Sequence, residues 1–223
     1  MLAGSLIAGS LSILCWGAFA PPAAASETGP STATAREFAD EYIPEQLERH
    51  RIPGAAITVV SGNKRVFAKG YGVADVADDR AVDAGKTLFA PASVAKLLTA
   101  TAVMQLAEAG RIDLDTDVNE YLKRFQVEDT FPGRPITMSH LLTHTAGFAV
   151  HDSGTGARAG DIHPLGAHLA RNLPERIRPP GERAVYSNYG MALAGHVVEE
   201  VSGMPFHEYI DAKILKPLGM SRT

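Results

Sequence analysis

Ser93-Val94-Ala95-Lys96 places a hydroxyl and an amine three residues apart, so both fall on one face of any helix that holds them. A serine at a helix start serves by default as an N-cap, its hydroxyl bonded to backbone amides. That use requires no particular residue three positions on, whereas a nucleophilic use requires a proton acceptor there, and Lys96 supplies one. Burial and the positive end of the helix dipole both disfavour an ammonium at that point and push Lys96 towards a neutral base. The Ser93 backbone amide, lying along the helix start, can stabilise an oxyanion. Downstream, Tyr186-Ser187-Asn188 follows the turn Pro179-Pro180-Gly181-Glu182 and opens another helix. Tyr186 is either a core ring with its hydroxyl exposed or a phenol beside Lys96 that accepts or relays the serine proton. Asn188 can bind a substrate amide or carbonyl.

The same Ser-x-x-Lys spacing recurs at Ser61-Gly62-Asn63-Lys64, between two β-favouring runs. There Gly-Asn makes a hairpin turn and the flanking side chains splay into water, so this copy carries no chemistry. His140 and His144 stand four apart, a metal-ligand spacing, but no third ligand such as the Glu of a His-Glu-x-x-His motif accompanies them. Their reading is structural, and neither a metal nor another cofactor is implied. The chain has no Gly-x-Ser-x-Gly elbow, which argues against an α/β-hydrolase.

The elements that must hold these residues come from periodicity. Ala35 to His50 repeats apolar residues at helical spacing, with Pro44 marking a kink or a late entry. Residues 55 to 60 and 65 to 71 form a hairpin. Ala95 to Ala109 is a strong helix stopped by Gly110. Further helices are expected at Ile136 to Leu142, Leu165 to Leu173, Tyr189 to Val201 and Phe206 to Leu215. Residues 146 to 164 are Gly-, Ala- and His-rich and read as a long loop. A two-stranded hairpin is marginal alone, so it is expected to want further strands.

The chain has 223 residues, 45% hydrophobic and 21% charged, with a net charge of -4. This is ordinary globular composition and gives no reason to expect nucleic acid as a partner. Residues 1 to 26 carry no charge. The apolar stretch Leu2 to Ala20 leads into Pro21-Pro22-Ala23-Ala24-Ala25, with small residues at an Ala-x-Ala cleavage site. Residues 1–25 are read as a signal peptide, with a membrane anchor as the alternative, since about twenty apolar residues can span a bilayer. The product is then secreted or extracytoplasmic, in periplasm or at the cell surface, and touches membrane only if 1–25 stay uncleaved. The lone Cys15 lies in this segment after Leu14, where lipidation would want a small residue, and the mature chain has no thiol nucleophile.

These motifs, in this order, resemble the serine β-lactamase-like family on its class C, D-alanyl-D-alanine peptidase and esterase side. The resemblance runs from Ile52-Pro53-Gly54 to Pro217-Leu218-Gly219-Met220. It takes in Leu141-Leu142-Thr143-His144-Thr145-Ala146-Gly147 and the stretch from Pro180 to Gly190. It implies an α+β fold, a helical block packed on an antiparallel sheet, for residues 26–223. It also implies a serine hydrolase in which Ser93 is acylated, Lys96 and Tyr186 manage protons and Asn188 contacts substrate. The implied substrate is a small molecule or peptide with an amide, β-lactam or ester carbonyl, peptidoglycan among them. The family's third element, a Lys-Thr-Gly or His-x-Gly strand, has no match: Lys86-Thr87-Leu88 lacks the glycine and sits too early. The expectation is therefore of a fold whose C-terminal strands are missing, and the rival reading is a non-catalytic penicillin- or peptidoglycan-binding sensor fragment.

Overall fold

The computed structural model describes residues 29–150 and 163–223. The apolar leader with Cys15, and residues 151–162 of the expected long loop, lie outside them. The chain divides into two compact units, one reaching Thr87 and the other running from Leu88 to Thr223.

In the first unit, α1 spans Thr32–His50 and enters at Ser31, whose Oγ accepts the Thr34 N–H at 3.1 Å. This capping starts the helix ahead of the expected Ala35, and the helix continues through Pro44 to a left-handed Arg51. Strands β1 (Gly54–Ser61) and β2 (Lys64–Asp75) pair antiparallel, with Ser61 opposite Lys64 at the turn. The second Ser-x-x-Lys is thus a hairpin turn, as its residues imply. Phe67 and Tyr71, four apart on one face of β2, bury against Ala35 and Ala39 of α1. Beside them, Asp40 accepts hydrogen bonds from Lys69 Nζ at 2.6 Å and Tyr71 Oη at 2.7 Å. The hairpin is accompanied, as its marginal stability alone requires. A short strand, β3 (Arg80–Ala81), pairs with β2 through Val73 and Ala81, making a three-stranded sheet ordered β1-β2-β3.

The second unit is helical. A 3₁₀ turn at Ala92–Ala95 leads into α2 (Lys96–Glu108), followed by α3 (Met138–Leu142), α4 (Leu165–Arg171), α5 (Asn188–Ser202) and α6 (Phe206–Ile210). A π-helical turn, Asp211–Leu215, continues α6. Helix α5 is apolar nearly all round and buried from Tyr189 through Val198 except at Ala192, as a helix at the centre of a bundle must be. It packs on α2, α3, α4 and α6. Ala102, Val103, Leu106, Met138, Leu141, Leu169, Leu193, Val197 and Val198 form the core. The helix expected from Ile136 begins only at Met138, because Thr137 bridges to Asp117 in extended backbone and then caps α3.

Between α3 and α5 the chain runs beside itself. The Val185 N–H donates to His144 O at 2.8 Å, Gly181 to Thr145 O at 2.9 Å and Ile177 to Gly147 O at 3.0 Å, while Ala149 donates to Glu175 O at 2.8 Å. This ribbon delivers Tyr186 to the start of α5. Buried Arg176 ties it down, its guanidinium donating to the carbonyls of Glu128 and Arg134, each at 2.9 Å. Gly147 sits at φ 82°, and a Cβ there would run into the Arg178 carbonyl oxygen. Gly110, at φ 66° behind α2, faces open space. Gly110→Ala should lose about 1 kcal/mol of unfolding free energy from backbone strain alone. Gly147→Ala should lose clearly more, because it adds a backbone collision. Equal losses in urea unfolding would show that the close ribbon does not constrain the fold.

Candidate active site

The sequence expects Ser93 at an α-helix start, and the structure corrects this. Ser93 lies in the 3₁₀ turn, one turn ahead of α2, and Lys96 is the first α-helical residue. Just before Ser93, Ala92 adopts φ 46°, a left-handed conformation that costs a non-glycine residue about 1–3 kcal/mol. The Ser93 hydroxyl is not used as a cap. The turn's first backbone bond runs from the Val94 N–H to Pro91 O at 3.1 Å. The N–H groups before Val94, that of Ser93 among them, stand outside that bonding.

Ser93 Oγ instead meets two side chains. Lys96 Nζ donates to it at 3.2 Å, and Tyr186 Oη donates to it at 2.6 Å from 93 residues away. Lys96 Nζ also lies 4.9 Å from the centre of the Tyr186 ring. The three expected residues are therefore brought into one constellation by α2 and the ribbon. The burial expected of Lys96 is not found, since its side chain is half-buried, and Tyr186 is 52% exposed. Hydrogen bonding by Lys96, then by the Ser93 hydroxyl, with the nearby ammonium charge adding to both, holds the Tyr186 phenol below its ordinary value of 10.0.

A proton inventory follows from this geometry. While Tyr186 is neutral, Ser93 Oγ accepts two hydrogen bonds and its own hydrogen points elsewhere. When Tyr186 is ionised, the Ser93 O–H can turn and donate across the same short distance. The arrangement can thus move a proton off the serine without moving a heavy atom.

Asn188 is the first residue of α5, and its amide has no hydrogen-bond partner among the described residues. With Lys96 it lines a cavity of about 620 Å³ whose other walls include Leu98, Met191, Phe206 and Ile210. Ser187, the middle residue of the triplet, is the α5 N-cap: its Oγ accepts the Gly190 N–H at 2.9 Å. The Ser187 N–H in turn donates to His144 Nδ1 at 3.2 Å.

His144 is the residue that sequence reasoning under-read. Its ring lies 4.6 Å from that of Tyr186, tilted by 42°, and its backbone is left-handed at φ 58°. Burial, then the charge of Lys96, holds its imidazole below the usual histidine range. His140 does something different. Its Nδ1 accepts the Thr137 N–H at 3.1 Å while Thr137 Oγ1 accepts the His140 N–H at 3.3 Å, a reciprocal cap on α3. The four-residue spacing thus serves two separate hydrogen-bonding duties.

Comparison with known proteins agrees with this geometry. Protein flp of Staphylococcus aureus strain MRSA252 is 32% identical over 194 residues, covering 86% of this chain and 38% of that protein. Penicillin-binding protein 4 of Amycolatopsis lactamdurans is 32% identical over 180 residues, covering 78% of this chain and 45% of that one. The octameric penicillin-binding protein homologue from Pyrococcus abyssi superposes with a TM-score of 0.72 at 30% identity, over 83% of this chain and 43% of that one. A class C β-lactamase solved in complex with cefoxitin shares the fold, with a TM-score of 0.68 at 21% identity over 85% of this chain and 51% of that one. The chain therefore spans less than half the length of the curated relatives it matches. A model of the Beta-lactamase family matches residues 39–223, and the chain, with its α+β fold, belongs to that family.

Proposed function

We propose that this protein is a serine hydrolase that acts on an amide, β-lactam or ester carbonyl through an acyl-enzyme on Ser93. Membership of the β-lactamase and penicillin-binding superfamily supports a hydrolase of that broad kind. The observation that carries the finer reading is the convergence of Lys96 Nζ and Tyr186 Oη on Ser93 Oγ from two separate elements. In this reading Ser93 attacks the carbonyl and its proton passes into the Lys96–Tyr186 pair. That pair then protonates the leaving group and later activates the water that releases the acyl group. The Ser93 N–H contributes to the oxyanion site, and Asn188 holds a substrate amide or carbonyl beside the nucleophile. Peptidoglycan stem peptides and β-lactams are the substrates that the penicillin-binding relatives bring to mind, and both carry the required carbonyl. An extracytoplasmic location belongs to the same proposal and rests on the apolar Leu2 to Ala20 stretch and the small residues Ala23 and Ala25.

A fluorophosphonate or fluorescent penicillin should label Ser93 in the full-length protein, with Ser93→Ala unlabelled and inactive and Ser61→Ala unaffected. Label mapped to another residue would sink the assignment. Lys96→Ala and Tyr186→Phe should each lower kcat by about 10²–10⁴-fold, the usual loss for a general acid or base. A rise in KM alone would make them binding residues instead.

The Tyr186 phenol should titrate below 10.0 in ultraviolet difference spectra, and the signal should vanish in Tyr186→Phe. Because Lys96 is the leading cause of the shift, Lys96→Ala should move the transition upward. A transition that stays in place would show that the lysine does not govern the phenol.

A further inference from the structure

We infer that His144 is a positioning residue for this site: its unprotonated Nδ1 holds the Ser187 N–H and so fixes the adjoining Tyr186 against Ser93. The inference rests on the acyl-transfer reading above and adds to it a residue whose spacing had suggested only scaffold.

Three contacts converge. The His144 carbonyl accepts the Val185 N–H at 2.8 Å, and its Nδ1 accepts the Ser187 N–H at 3.2 Å. One residue thereby grips both neighbours of Tyr186 along the chain. Its ring then lies against the Tyr186 ring at 4.6 Å, so the phenol is held at both its backbone and its face. His144 makes all three, one through its carbonyl and two through its ring, from a left-handed backbone at φ 58°.

The grip depends on protonation. A neutral imidazole that accepts at Nδ1 carries its hydrogen on Nε2. Adding a second proton turns Nδ1 into a donor that confronts the Ser187 N–H. The groups facing the ring are Lys96 of α2 and Tyr186 ahead of α5, and among the described residues the charge acting on it is the Lys96 ammonium. His140 on α3 is engaged with Thr137 and does not take part. Burial and Lys96 both favour the neutral ring, so the grip persists at neutral pH and is lost only as pH falls below the ordinary histidine range.

The decisive variant is His144→Asn, whose side-chain oxygen can stand in for Nδ1 as acceptor, which tolerates the left-handed backbone and which does not titrate. The wild type should lose kcat on the acid side with an inflection below 6.5, the ordinary histidine value. His144→Asn should keep most of the turnover at neutral pH and lack that acid limb. His144→Ala should lower kcat by about 10²-fold, the scale of a misplaced catalytic group, with little change in KM. Retention of the acid limb in His144→Asn, or turnover in it as low as in a folded His144→Ala, overturns the inference. If His144→Ala does not fold, the asparagine variant and the wild type decide alone.

A second readout is independent of catalysis. In nuclear magnetic resonance the Ser187 amide signal should follow the His144 titration in the wild type and stay constant in His144→Asn. A constant wild-type signal overturns the inference. Failure of Ser93 to take up an acylating label would count against the acyl-transfer reading alone, because the Ser187 signal reports the grip whatever reaction the site performs.

Discussion

A serine hydroxyl near a helix start is by default spent on capping the backbone, whereas in the helical unit the Ser93 hydroxyl is given two side-chain partners instead. The Ser93 Oγ caps no helix: it lies in the 3₁₀ turn that begins at the left-handed Ala92 and leads into α2 at Lys96. Lys96 then reaches back one turn, and Tyr186 reaches in from the ribbon, so that the oxygen has two partners able to exchange protons with it. The same hydroxyl in an N-cap would be worth about 1 kcal/mol to the helix. The fold forgoes that and adds strain at Ala92, consistent with strain being concentrated where chemistry is done.

The supporting structure is graded around this point. Closest in are Ser187 and His144, which fix the backbone on the far side of Tyr186. Behind them the paired segments 144–149 and 175–185 hold register through backbone bonds, with Arg176 as a buried tie. Behind those, α5 is buried among four other helices, so its first turn has little freedom to shift. Each layer restricts the one in front of it, and together they place an exposed phenol within hydrogen-bonding distance of an exposed serine.

Much of this was legible in the residues. Ser93, Lys96 and Tyr186 could be picked out because their types are chemically specific and their spacing is fixed, and the decoy at Ser61 could be dismissed by its Gly-Asn turn. The helix end marked by Gly110 was readable too. What stayed hidden has physical reasons. A left-handed alanine runs against its own propensity, so nothing at position 92 announces the turn that precedes Ser93. Strand β3 has two residues, too short for any alternation to show. His144 makes its side-chain hydrogen bond to an N–H located 43 residues downstream, and a spacing of four from His140 without a third ligand suggested only scaffold.

The contact between Ser93 and Tyr186 joins residues separated by 93 positions. Closing so long a loop carries an entropic cost that local helix formation does not repay, so this pairing belongs among the late events of folding. Helices α2 and α5 could each be formed before Tyr186 had reached Ser93. The contact between Tyr186 and Ser93 is therefore a property of the assembled topology, and a nascent or partly opened chain would present Ser93 to its surroundings without it.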